Sequence, residues 1–340
     1  MPPQKLTVDD LAVMIARLSQ RVDRIRVPPA QVLTQLAPGR RELGFECGYL
    51  SLADANASAS PVIGITVNND ADFVAVRPML LQSGPAGAGI PVPPSVTLQI
   101  RDSATGHTFY RQPGSALGFL AQPYAPGSPQ SSGRFVSNHL GWPAPHVLKR
   151  ASSVFFEISN PTGYVFVGDL YLVYEGYRLY SNEKEPVPDT ITGQVEPFDW
   201  NGTLVVPNGL SAGLQIIGTI TMPGTDQDRY VLKAAAINAT GVPSAVGGVT
   251  LFPEDVLLMQ VKDTYQQNKQ WARVSTPPPY GQYMPAKAFV GGGPGAPWAW
   301  PRFVQGTDTI YIDLVTDPSA WVGGNPGTIE FHLIGDRIYG

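Results

Sequence analysis

Five stretches of this 340-residue sequence occur twice, in the same order and at nearly constant separation. The first series is "VIGITV", "DFVAVR", "LQIRD", "APHVLKRASSVFFEIS" and "LYLVYEGYRLY"; the second is "IIGTIT", "DRYVLK", "MQVKD", "WPRFVQGTDTIYIDLV" and "IEFHLIGDRIYG". Gly64 stands 154 residues before Gly218, and Asp102 stands 161 before Asp263, a spread that short loop insertions produce. One such match is weak because β-rich segments resemble one another. Five in order constrain the chain to two copies of one structural plan. Each series has the same ending, Gly176-Tyr177-Arg178-Leu179-Tyr180 and Gly335-Asp336-Arg337-Ile338-Tyr339. Alternation puts Arg178 opposite Leu179 and Arg337 opposite Ile338, so Leu179 and Ile338 are expected to close a core while the bases face outward.

The matched segments are short, rich in Val, Ile, Thr, Phe and Tyr, and alternate with period two between Gly, Pro, Asn or Asp. The chain holds 36 Gly and 34 Pro, the punctuation that many short strands need. With 43% hydrophobic residues it can build proper cores. The expected fold is mainly β: two tandem β-sandwiches, jelly rolls being the economical form, preceded by a short amphipathic helix. Expected limits are an amino-terminal arm over 1–29, a connector over 30–45, a first sandwich over 46–180, a linker over 181–197 and a second sandwich over 198–340. The linker, "SNEKEPVPDTITGQVEP", concentrates charge and proline without an apolar pattern.

The arm carries apolar residues at Val8, Leu11, Ile15, Leu18, Val22 and Ile25, a seam of nearly three heptads. Thr7 and Asp10 make a capping pattern, and Pro28-Pro29 stops the helix. Three heptads are marginal alone, so the helix either zips subunits together or packs on a sandwich. Asp9 and Asp10 interrupt what a secretory signal would require, and no stretch reaches the roughly 20 apolar residues of a membrane span.

Charge is sparse. Asp, Glu, Lys and Arg make up 15% of the chain, against about 25% in an ordinary soluble protein, and the formal net charge is −4. Neither favours a nucleic-acid track. Three long, nearly uncharged loops fall between strand runs, and two of them carry Phe119, Tyr124, Tyr280, Tyr283, Phe289, Trp298 and Trp300. These aromatics suit a subunit interface, a carbohydrate platform or a cap over a sandwich end.

The sequence carries no recognisable catalytic, metal or cofactor motif. The four histidines form no zinc motif, and the single Cys47 reads as a buried core thiol. "GLSAG" centres Ser211 between two strand-like runs, where a nucleophile elbow needs a helix after it; "GGGPG" at 291–295 lacks the Lys-Ser or Lys-Thr of a phosphate loop. Glu157 and Asp313, in matching places, can face solvent and find cross-strand bases, Arg101 or Arg178 in one copy and Lys262 or Arg337 in the other. Such a duplicated polar pattern reads as structural, and the chain is expected not to be an enzyme.

Tandem sandwiches, uncharged Gly/Pro loops, a helical arm and phrases such as "FFEISNPTG" before "LYLVYEGYRLY" resemble bacteriophage virion structural proteins. That resemblance implies a virion protein that assembles with itself, as a trimer or higher symmetric assembly, and with other virion proteins. A capsid or capsid-associated subunit is the first expectation. A tail, collar or spike adaptor, or a module that binds a host glycan, are the alternatives.

Overall fold

The computed structural model describes residues 39–57, 60–83, 96–106, 108, 114–115, 122–123, 135–136, 145–160, 163–166, 168–181, 194–206, 215–240, 245–246, 249–250, 257–265, 269–275, 281–290, 297–316 and 327–339. The helical seam from Val8 to Ile25 lies outside them, as do Ser211, residues 291–295, Phe119, Tyr124 and Tyr280.

The first half supplies β1 (Arg40–Leu50), α1 (Leu52–Ala57), β2 (Val62–Thr66), β3 (Asp72–Ser83), β4 (Thr97–Asp102), β5 (Gly114–Ser115), β6 (Gln122–Pro123), β7 (Phe135–Val136), β8 (His146–Leu148), β9 (Ser153–Ser159) and β10 (Asp169–Tyr180). The second supplies β11 (Val195–Val206), β12 (Gln215–Thr221), β13 (Arg229–Thr240), β14 (Ala245–Val246), β15 (Val249–Thr250), β16 (Leu257–Asp263), β17 (Ala272–Val274), β18 (Met284–Pro285), α2 (Ala286–Phe289), β19 (Arg302–Gln305), β20 (Thr309–Thr316) and β21 (Gly327–Ile338). The chain is mainly β. β1 begins inside the stretch expected as a connector, and β11 inside the expected linker: alternation in "RRELGFECGYL" reaches back over its charged start.

Strand order repeats between the halves. β1-β10-β3-β8 and β2-β9-β4-β5 form the sheets of the first, and β11-β21-β13-β19 and β12-β20-β16-β18 those of the second, with β17 added beside β1. Alternation decides the cores. Ile63, Ile65, Leu98, Ile100, Val154, Phe156, Leu170, Leu172 and Tyr174 meet in the first; Leu232, Val261, Ile310, Ile312, Ile329, Phe331 and Leu333 in the second.

Finer details repeat too. A bulge leaves Val76 unpaired between Ala75, opposite Gly176, and Arg77, opposite Glu175; the counterpart leaves Lys233 between Leu232, opposite Gly335, and Ala234, opposite Ile334. Only glycine fits there, because a Cβ on Gly176 would lie 2.0 Å from the Val74 carbonyl oxygen, and one on Gly335 2.0 Å from that of Val231. Among the described residues, the non-glycine positions with positive φ, Ala151 (59°) and Thr307 (69°), occupy matching turns whose N–H groups reach back to Val67 and Met222. Arg101 meets Glu157 at 2.8 Å beside Phe155, and Lys262 stands 3.9 Å from Asp313 beside Tyr311, so the nearer of the expected bases is the partner in each copy.

The two halves share an interior. Leu43, Phe45, Cys47, Tyr171 and Val173, on the face of β1 and β10 turned away from the first core, join the second core as one cluster. Phe45 lies 5.6 Å from Phe289, which contacts Trp271, Trp298 and Phe331. The sheet is therefore buried on both faces.

Candidate functional site

The concentration of buried charge lies where β1 and β10 meet the second half. Glu42 and Glu46 occupy the face of β1 opposite Leu43, Phe45 and Cys47, and Arg178 of β10 stands in register with Glu42. Arg302 of β19 donates through Nη1 to Glu42 Oε1 at 2.6 Å and through Nε to Asp263 Oδ2 at 2.8 Å; Asp263 Oδ2 also accepts from Trp271 Nε1 at 2.7 Å. Arg178 donates through Nε to Glu46 Oε1 at 3.2 Å, through Nη2 to the Trp271 carbonyl at 3.0 Å and through Nη1 to that of Gln270 at 3.2 Å. These carbonyls lead into β17, so Arg178 pins the strand that joins the halves. Nearby, Glu175 accepts from Arg77 and from the Ala299 N–H, and Arg273 forks onto Asp70 at 2.8 and 2.6 Å.

Burial works against the charged form of each carboxylate, and the surrounding bases decide the outcome. Desolvation alone would raise Glu42, but the charges of Arg302, Arg178 and Arg40 hold it at about 2. At Glu46 and Glu175 desolvation wins and the carboxyls are raised, against Arg178 in one case and Arg77 in the other. The signs differ accordingly. Glu42 stabilises the fold fully above its ordinary 4.5, and that contribution is lost as pH falls toward 2. Glu46 and Glu175 contribute most below 4.5 and lose it as pH rises through their folded-state values. Urea unfolding across pH 2 to 7 should therefore show the destabilisation by Glu42→Gln shrinking as pH falls, while Glu46→Gln gives the opposite slope. Parallel slopes would contradict this division.

The repeated endings carry a correction. Leu170, Leu172 and Tyr174, and likewise Ile329, Phe331 and Leu333, point into the cores, so alternation continues the inward face through Gly176, Arg178 and Tyr180 and through Gly335, Arg337 and Tyr339. Leu179 packs instead with Val74 and Tyr177, in a small cluster flanked by Trp300, and Ile338 is only partly buried. Arg178 is 1% exposed. Arg337 pairs with Asp228 at 3.2 Å and lies over Tyr339, whose hydroxyl donates to Glu196. Tyr180 lies under Arg40, and burial, with the charge of Glu42, pushes its hydroxyl up to about 12. The same motif thus closes a turn in one half and clamps a neighbour in the other.

Of the three expected roles for the aromatics, placement of the described ones fits the cap over a sandwich end. Phe289 is fully buried and Trp298 is 7% exposed, its Nε1 donating to the Phe289 carbonyl; such faces have no room for a sugar or a partner. Trp300 packs on Tyr177 and under Arg41, and Tyr283 is partly buried against the core. They line the joint between the halves, Phe289 against Phe45 and Trp300 against Tyr177. Glu42, Glu46, Asp263 and Arg302 were missed as a group. Their signal was local: acids at positions of one parity in the apolar run "ELGFEC".

Beside the seam a cleft of about 560 Å³ opens between Thr66 and Asn68 on one side and Lys269, Arg273, Ser275 and Gln282 on the other. Its groups are already engaged: Ser275 Oγ accepts from the Thr66 N–H and donates to its carbonyl, and Arg273 is held by Asp70. Cys47 is buried, and its thiol is pushed up by burial and by Glu46. Among the described residues no group of three His, Cys, Asp or Glu is placed to hold a metal, and no helix is long and apolar enough to cross a membrane.

No known protein family matches the chain, and no curated protein does. Among solved structures, a chain from the triple-jelly-roll turret assembly of an archaeal virus superposes with a TM-score of 0.22 and 11% identity over 89% of this chain and 60% of that one. This chain thus spans less than two thirds of that protein's length. A peptide-N(4)-(N-acetyl-β-D-glucosaminyl) asparagine amidase gives 0.21 and 12%, covering 87% and 96%; the VP2 subviral particle of infectious bursal disease virus gives 0.20 and 12%, covering 92% and 78%. Superpositions at this level assign neither a fold family nor a function.

Proposed function

We propose that the protein is a non-enzymatic structural subunit of a virion, a bacteriophage capsid or capsid-associated protein that assembles with copies of itself. One observation carries this reading: two sandwiches, each of two sheets with the same order of four strands, are fused into a single block by a shared core and a buried ion cluster. In each half the first, last, third and sixth principal strands form one sheet and the second, seventh, fourth and fifth the other, the arrangement of an eight-stranded jelly roll, a fold of viral capsid and lectin domains. The structural investment lies in holding two such units at one fixed geometry, as a capsomer subunit requires, and the conspicuous buried charges are committed to that joint. In this reading the first unit, expected over 46–180, opens at β1, and the second, expected over 198–340, at β11.

Mass photometry and sedimentation of the purified chain at micromolar concentration test the reading. A symmetric oligomer is expected. A monomer with measurable glycan affinity would replace it with the glycan-binding alternative. Removal of residues 1–29 then assigns the arm its role: loss of the oligomer makes the helix the clamp, and an unchanged oligomer places assembly on the sandwiches.

A further inference from the structure

β11 ends its sheet. β21 lies along one side, and among the described residues no strand lies along the other. The bonding direction of each residue follows from the register. Tyr339 N–H donates to the Gln194 carbonyl, and pairing with β21 continues without a bulge from Val195 to Val206. Even-numbered residues therefore bond β21, and odd-numbered ones direct N–H and C=O to the open side. Pro197, which has no N–H, falls at an odd position, where an edge strand accepts it. Beyond it the N–H groups of Asp199, Asn201, Thr203 and Val205 form an uninterrupted row. Val195, 48% exposed, and Val205, 70% exposed, lie on this strand, and Ile217 of β12 is 61% exposed. A long edge of this kind is a template for another strand.

The first half shows what covers the same edge. β1 is the counterpart of β11, since Gly44 faces Gly176 as Phe198 faces Gly335. On β1 the edge is taken by β17, with Phe45 N–H donating to the Trp271 carbonyl at 2.9 Å and Ser275 N–H to the Cys47 carbonyl at 2.8 Å. The corresponding groups on β11 are Asp199 N–H and Asn201 C=O. The covering strand belongs to the other sandwich. It follows a bridge between Lys262 and Gln270, and the first half has the matching bridge between Arg101 and Thr108. Counted along the sequence from these bridges, "QWARV" from Gln270 aligns with "TFYRQ" from Thr108, and Arg273 with Arg111.

β17 is already engaged on its own chain. We propose that the open edge of β11 is an interchain site, covered in the assembled protein by the first half of a second copy of this chain. The contact repeats between chains the joint that β17 makes within one, and it is head-to-tail, so successive copies close a ring or continue as a filament. This inference rests on the self-assembly reading above and specifies its surface.

Proline at an odd position removes a donor on the open side and leaves the β21 ladder intact. The test compares the full chain with Asp199→Pro and with Asp199→Ala, which loses the same side chain but keeps the N–H. Sedimentation over a concentration series should show half-assembly of Asp199→Pro shifted about tenfold or more upward, the equivalent of one lost interfacial hydrogen bond, with Asp199→Ala close to the parent. Hydrogen exchange on the unmodified chain gives an independent measure: the Asp199 and Asn201 amides should exchange fast in dilute monomer and slowly in the assembly. An Asp199→Pro chain with native circular dichroism that assembles at the parental concentration overturns the edge site and leaves self-assembly standing. Slow exchange in the dilute monomer assigns the cover to the chain's own residues and overturns it likewise. A parent chain that stays monomeric overturns the self-assembly reading together with this inference.

Discussion

Arg302→Leu is expected to lower stability by about 3–5 kcal/mol, the cost of leaving buried carboxylates without their base. Arg302 is 1% exposed and bonds two acids at once, Glu42 from the first half and Asp263 from the second. Removal leaves Glu42 with Arg40 at 3.0 Å and Arg178 at 4.0 Å, and takes from Asp263 its bond to the Arg302 guanidinium at 2.8 Å. In a protein of this size the midpoint of thermal unfolding should fall by about 4–7 °C. Adding Asp263→Asn to the Arg302→Leu chain removes the carboxylate charge that Arg302 balanced and should recover more than about 1 kcal/mol, a coupling that a double-mutant cycle measures. Additive effects, or an Arg302→Leu chain as stable as the parent, would show that the cluster does not hold the halves together.

Gly176→Ala and Gly335→Ala should each cost about 3 kcal/mol or more, because the added methyl meets a backbone carbonyl of the neighbouring strand, which cannot step aside without undoing the bulge. Gly64→Ala is the control. Its Cβ would meet the Phe155 ring at an ordinary 3.6 Å, and the change should be neutral or stabilise by up to about 1 kcal/mol through the unfolded chain. Denaturant midpoints of the three variants decide the matter. Equal effects at Gly64 and Gly176 would mean that the glycines are tolerated for their flexibility and not required by the close approach. Equal effects at Gly176 and Gly335 would show that the two halves depend on the same bulge.

The repeat was legible because it rests on period-two alternation and on a few residues with local jobs. "IRD" and "VKD" predicted strand ends, and Arg101 and Lys262 do meet Glu157 and Asp313 across neighbouring strands. Alternation also separated Arg178 from Leu179 correctly, but it could not say which of the two faces was the inside. Both faces of β10 are buried, so the usual rule that the apolar residue marks the interior fails there. The aromatic loops left their role open for a related reason: large rings among glycine and proline look the same whether they cover another subunit or their own chain.

By itself the sequence determined two β-rich units of one plan, their strands, and the glycines at the strand ends, since these depend on residues a few positions apart. Only the tertiary structure decided what each face meets. Glu42 and Arg302 are 260 residues apart, and Thr66 and Ser275 are 209 apart; no periodicity connects them. The same Gly-x-Arg-x-Tyr signal therefore ends as a buried clamp at Arg178 and as a turn closure at Arg337, because only the first has another sandwich lying against it.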